Sequence, residues 1–131
     1  MPPEPGRILL VDDYPDALET WGLFLRMKGY AVLTAPDGRT AVKVAIEEHP
    51  DLIVMDLDLP GMTGVEAARV LRQRPDTTEI PIIAATGFSH QSQLEEAQQA
   101  GFNVILIKPC EPELLIDHIA RLLAAGDPRP E

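Results

Sequence analysis

Asp12, Asp13, Asp56, Thr86 and Lys108 supply three carboxylates, a hydroxyl and an amine, and each follows closely on a short apolar run. The runs are RILLV, LIVM, IPIIAA and VILI. Clustered carboxylates repel one another unless a cation compensates them. Hard oxygen ligands of this kind suit Mg²⁺, which keeps several waters and takes one or two carboxylates together with a phosphate. A hydroxyl and a fixed ammonium are the groups that stabilise charge on a transferring phosphoryl group. A carboxylate can also act as the nucleophile, forming an acyl phosphate, and Asp56 at the end of the central run is the natural choice. Singly the signals are weak. An Asp pair after a strand can be a helix cap, a strand-end Thr can reflect β-propensity, and a Lys before Pro can be a solvated charge. Their shared placement at the downstream ends of apolar runs carries the inference.

That placement requires elements able to bring the five residues together. The apolar runs alternate with amphipathic stretches, the pattern of parallel strands joined by crossover helices, in which ligands bind beyond the carboxyl ends of the strands. RILLV is the first strand, followed by a helix from Pro15 with Ala17, Leu18, Trp21, Phe24 and Leu25 on one face and Gly29 as its stop. Strands are then expected at 31–34, 51–55, 80–85 and 103–107, with helices at 37–48, from Thr63, at 92–100 and from Pro112. Thr63 and Glu66 fit a capping box at the third helix. The fourth helix offers only Leu94, Ala97 and Ala100 for burial and is expected to be the most mobile. In the last helix Leu115, Ile119 and Leu122 face inward and Gly126 is the stop. Five right-handed β-α units predict an α/β fold, a three-layer sandwich around a five-stranded parallel sheet of order 2-1-3-4-5, the flavodoxin-like arrangement. An eight-unit barrel needs about 250 residues.

Composition narrows the function classes. The 131 residues suit one domain, with residues 7–125 ordered between a flexible leader, 1–6, and a flexible tail, 126–131. Eleven Lys and Arg against 21 Asp and Glu leave a net charge of −10, which argues against direct nucleic-acid binding. No signal peptide or run of about 18 apolar residues is present, so a cytoplasmic protein without membrane insertion is expected. The single cysteine, Cys110, reads as a small hydrophobe. His49, His90 and His118 lack metal-ligand spacing and none is a convincing phosphodonor.

The segments VDD (Val11 to Asp13), DLDLPGMTG (Asp56 to Gly64), ATG (Ala85 to Gly87), AG (Ala100, Gly101) and KP (Lys108, Pro109) resemble the receiver domain of two-component response regulators. The resemblance covers roughly residues 7–125. It implies that Asp56 is the phosphoacceptor, that Asp13, Asp56 and the backbone carbonyl of Asp58 ligate Mg²⁺, and that Asp12 acts through the metal's water shell. Thr86 and Lys108 would contact the phosphoryl oxygens, and the Lys108–Pro109 bond is expected to be cis. A histidine kinase or histidine phosphotransfer protein is the implied donor, docking through the first helix, and output is expected through an effector protein. One departure stands out: Ile105 occupies a switch position that is commonly aromatic in receivers. Signalling is therefore expected to rest on Thr86 and the fourth helix rather than on ring rotation, while bulky Phe88 is expected to shield the phosphoryl group.

Three other readings compete. Asp56-Leu-Asp58 also resembles the nucleophile motif of haloacid-dehalogenase-like phosphatases, which carry it on their first strand, whereas here it follows the third. A receiver-like interaction module that is never phosphorylated would be favoured by missing site residues, and all five are present. Flavin binding is disfavoured by the acidic loops after the first and third strands.

Overall fold

The computed structural model describes residues 6–87, 91–108 and 110–124. The leader up to residue 5, the tail with Gly126, the Lys108–Pro109 bond, His90 and Phe88 lie outside the described residues. Ten elements alternate along the chain: β1 (Arg7–Val11), α1 (Pro15–Met27), β2 (Ala31–Ala35), α2 (Gly38–Glu48), β3 (Leu52–Met55), α3 (Gly64–Gln73), β4 (Ile82–Thr86), α4 (Gln91–Ala100), β5 (Val104–Ile107) and α5 (Pro112–Ala124). The strands form one parallel sheet of order β2-β1-β3-β4-β5, as the alternation of runs and helices predicts.

Both faces of the sheet are covered, which is why its strands are apolar at successive positions rather than alternating. On one face Leu9, Val11, Ile53, Met55, Ile82 and Ala84 pack with Ala41 and Ala45 of α2, Ala67, Ala68 and Leu71 of α3, and Ala97 and Ala100 of α4. On the other, Ile8, Leu10, Leu52, Val54, Ile83, Ala85 and Leu106 pack with Leu25 of α1 and with Leu115 and Ile119 of α5. Each fully buried Leu or Ile contributes about 1.5–3 kcal/mol through removal from water. Among the described side chains of α4 the buried ones are Ala97 and Ala100, with Leu94 partly buried, so little apolar area from these residues holds it.

Register brings the strand ends into line. Val11 pairs with Met55 across β1 and β3, so Asp12 and Asp56 emerge side by side. Thr86 pairs with Ile107 across β4 and β5, and the Lys108 amide donates to the Thr86 carbonyl at 2.7 Å. β4 differs from expectation: Ile80 and Pro81 precede it and Thr86 is its last residue. Pro81 has no N–H to give to a ladder, although its carbonyl still accepts from Ile53. Small shifts occur elsewhere, with β2 reaching Ala35, β3 and β5 starting one residue later, and Asp37 standing outside α2 as its N-cap.

The opposite end of β4 and β5 is organised by Arg72 on α3. Its guanidinium donates to the carbonyls of Gly101, Thr78 and Ile80 and to Asn103 Oδ1, with distances from 2.6 to 3.1 Å. Asn103 Oδ1 also accepts from the Ile82 amide at 2.8 Å. Gly101 sits at φ +101° beside this guanidinium, and a Cβ there would come within 2.9 Å of Arg72 Nε. Removing the guanidinium would leave several part-buried carbonyls without their donor. Arg72→Ala is therefore expected to lower stability by about 2–4 kcal/mol, read from the urea midpoint, with Arg72→Lys recovering less than half because one ammonium cannot span the same acceptors.

Candidate functional site

After β1 and β3 the chain turns locally on the first carboxylate beyond the strand, which keeps Asp12 and Asp56 at the sheet edge. After β1, Asp12 Oδ1 accepts from the Tyr14 amide at 3.0 Å, closing a local turn before α1 starts at Pro15. After β3, Asp56 Oδ1 accepts from the Asp58 amide at 3.1 Å, a second turn of the same type. The chain then passes Gly61, at φ +70°, to the α3 capping box. In that box Glu66 N donates to Thr63 Oγ1 at 3.2 Å and Thr63 N to Glu66 Oε1 at 3.0 Å.

Gly64 opens α3 directly against this turn. A Cβ at Gly64 would overlap the Asp56 carbonyl oxygen and lie 2.8 Å from Leu57 Cα, both backbone atoms that cannot swing aside. Gly38 has the same relation to the Met62 carbonyl, so α2 also closes on the loop after β3. Sequence reasoning placed Gly64 in a motif without giving it this function. The available signal was a glycine in the first turn of a helix, where it costs stability unless backbone comes close.

At the sheet edge, carboxylate oxygens of Asp12, Asp13 and Asp56 all lie within 4.8 Å of one another. Asp12 is buried, Asp13 is exposed, and the Asp56 side chain keeps 13% of its exposure. Lys108 reaches in from the end of β5, with Nζ 2.8 Å from Asp12 Oδ2 and 3.5 Å from Asp56 Oδ2. Burial disfavours the Lys108 charge, but its hydrogen bond to Asp12 and the nearby Asp56 carboxylate outweigh that and hold its pKa above the usual lysine value. Since both folded and unfolded values lie far above neutrality, the amine stays charged through the physiological range. Three carboxylates face one ammonium, an excess of negative charge that a divalent cation would relieve. Asp13, on the open side, leaves room for the water ligands that Mg²⁺ retains. The arrangement therefore fits Mg²⁺.

The remaining expected residues sit around this cluster. Thr86 is fully buried at the end of β4, next to Lys108 through the backbone bond described above. Ile105 is partly buried against the core on the α3 and α4 side, two residues before Ile107, the partner of Thr86. Asp58 is exposed, with its backbone wrapped around the Asp56 side chain. Leu18 and Trp21 of α1 pack into the core and Leu25 is fully buried, so the exposed apolar residues of this helix are instead Leu23 and Met27. Burial pushes the Cys110 thiol pKa up, and the residue packs against the α1 and α5 core as a hydrophobe.

The model of the response regulator receiver domain matches residues 8–120. This chain belongs to that family. Receivers are signalling modules of two-component systems, and this one has related sequences and structures of similar length. It is 34% identical over 119 residues to Protein PilH of Pseudomonas aeruginosa, a match covering 91% of this chain and 98% of that protein. A signal receiver domain of a signal transduction histidine kinase from Syntrophus aciditrophicus superposes with a TM-score of 0.87 and 34% identity, covering 96% of this chain and 95% of that one. The receiver domain of sensor histidine kinase PA1611 from Pseudomonas aeruginosa has a TM-score of 0.86 and 35% identity, covering 92% and 98%. That crystal structure contains a magnesium ion coordinated in the active site cleft. Among the described residues no helix of this receiver is long and apolar enough to cross a membrane.

Because Gly64 bears on the Asp56 backbone, Gly64→Ala should displace the turn carrying Asp56 as well as lower stability. Circular dichroism should show a folded protein, while isothermal titration with Mg²⁺ should show at least about tenfold weaker binding, the loss expected when a ligand is moved from its place.

Proposed function

We propose that this receiver, over about residues 7–125, accepts a phosphoryl group on Asp56 from a phosphohistidine of a histidine kinase or phosphotransfer protein, and that the modified form changes its binding to an effector protein. The observation that carries the proposal is the convergence of Asp12, Asp13 and Asp56 with Lys108 at the carboxyl edge of the sheet. Asp56 Oδ attacks phosphorus, the bond to the donor nitrogen breaks, and the departing imidazole keeps the electron pair. Asp13 and Asp56, with the backbone carbonyl of Asp58, would hold Mg²⁺, and Asp12 would act through its waters. The bound ion would supply charge neutralisation at the phosphoryl oxygens.

Lys108 is held more closely by Asp12 than by Asp56, so it is already pinned beside the acceptor before any phosphoryl group arrives. Its ammonium would shift to a phosphoryl oxygen, and the Thr86 hydroxyl would donate to another. Thr86 shares the β4 face with Ala84 and lies next to the face covered by α4, so its movement would be felt by the helix with the least buried apolar area. With Ile105 in place of an aromatic ring, the response would be a loosening of α4 rather than a ring rotation. The phosphatase reading loses support because Asp56 follows β3 while the paired Asp12 and Asp13 follow β1. A cytoplasmic site of action follows from a donor of this class.

Intact mass after incubation with acetyl phosphate is the direct test. A Mg²⁺-dependent gain of about 80 Da, absent in Asp56→Asn, is expected for an acyl phosphate. Lys108→Ala should slow its formation at least about a hundredfold, as for loss of a charge-stabilising donor. Absence of any adduct would favour an interaction module that is not phosphorylated. Amide exchange across 91–100 should accelerate on phosphorylation, and unchanged exchange would refute the proposed role of α4.

A further inference from the structure

Beneath the carboxylate cluster lies a cavity of about 10 Å³ lined by Leu10, Val11, Asp12, Trp21, Val54, Asp56, Ala85, Lys108 and Leu115. Asp12, Asp56 and Lys108 are the charged members of a mainly apolar lining, and the volume is close to that of one water-sized sphere. Ala85 and Val54 line it from the sheet. Trp21, brought in from α1, is the largest side chain in the lining and shares the cavity with Lys108.

Lysine carries a flexible four-carbon stem whose ordering is costly, so a fixed ammonium needs something to limit where the stem can go. Two carboxylates attract the Lys108 amine at 2.8 and 3.5 Å, but attraction alone does not prevent the stem from folding down into open space. In this protein Trp21 bounds that space on the α1 side, leaving room for about one water-sized sphere. We propose that Trp21 is a positioning residue for phosphoryl transfer, closing the floor beneath Lys108 so that its ammonium is confined between Asp12 and the acceptor Asp56. The role rests on the receiver function proposed above but acts on the resting protein, before any phosphoryl group is present.

The same geometry separates this role from partner docking. Trp21 is partly buried in the α1 and α5 core, whereas Leu23 and Met27, on the outer side of α1, are 59% and 76% exposed. A docking residue should matter only with a protein donor. A positioning residue should matter equally with acetyl phosphate, which needs no docking surface.

The test compares the full chain with Trp21→Phe, Trp21→Leu and Trp21→Ala, using protein labelled with ¹⁵N-lysine. The Lys108 side-chain ammonium should give an observable proton–nitrogen signal in the unaltered protein and in Trp21→Phe, since it is partly buried and held in an ion pair with Asp12 at 2.8 Å. That signal should disappear in Trp21→Leu and Trp21→Ala while the amide spectrum remains dispersed. Phosphorylation by acetyl phosphate should slow at least tenfold in the same two variants. In a Lys108→Ala background the Trp21 substitutions should have no further effect on the rate. A signal that persists in Trp21→Leu overturns the proposal, as does an equal loss of rate in the Lys108→Ala background. If the signal disappears as expected but no form of the protein takes a phosphoryl group, Trp21 still positions Lys108 and the receiver function fails instead. If the unaltered protein and Trp21→Leu are phosphorylated at equal rates, the receiver function stands and the positioning role fails.

Discussion

Among the described residues the ammonium of Lys108 is the positive charge set among three converging carboxylates, and the organisation of the site follows from accommodating that imbalance. Asp12 is buried, and a buried polar side chain needs a partner. Its 2.8 Å contact with Lys108 links the ends of β1 and β5, two strands separated in the sheet by β3 and β4. The pair does not neutralise the cluster. Asp13 and Asp56 retain an excess of negative charge beside it, which favours a hard divalent cation and, with it, a phosphoryl group.

Holding such a cluster requires a rigid frame, and the two faces of the sheet supply it differently. The α1 and α5 face uses large groups, Leu25, Leu115 and Ile119, and extends up to Trp21 beneath the site. The opposite face relies on alanines from α2, α3 and α4, which allow the helices to approach the sheet closely. Arg72 secures the far end of β4 and β5 through carbonyl acceptors on the loops before each strand. With their starting ends secured and Gly64 closing on the Asp56 backbone, the carboxyl ends of the strands carry the site with little freedom. The thinly anchored α4 is the exception, and it borders the face of β4 that carries Thr86.

Much of this was legible beforehand for identifiable reasons. Unbroken apolar runs indicated strands covered on both faces, and the helices between them fixed a parallel sheet. Thr63 and Glu66 marked the start of α3 because a capping box is a local device, complete within four residues. The start of β4 was misplaced because Pro81 looks apolar but cannot donate to a ladder. Arg72 drew no notice, since an arginine near the end of a helix is ordinarily solvated and its acceptors lie up to 31 residues away. Trp21 read only as core because periodicity shows which face a residue lies on but not what lies above it.

The amino-acid sequence by itself determined the elements, their order, the parallel sheet and the five polar residues at its edge, because these depend on local periodicity and on rules of chain connection. Tertiary structure decided which charges meet. That Lys108 pairs more closely with Asp12 than with Asp56, that Gly64 bears on the Asp56 backbone, and that Trp21 lines the same cavity as Lys108 all depend on strand register and on how α1 and α3 settle against the sheet. Such contacts join residues as many as 96 positions apart, and no local preference encodes a distance of 2.8 Å between them.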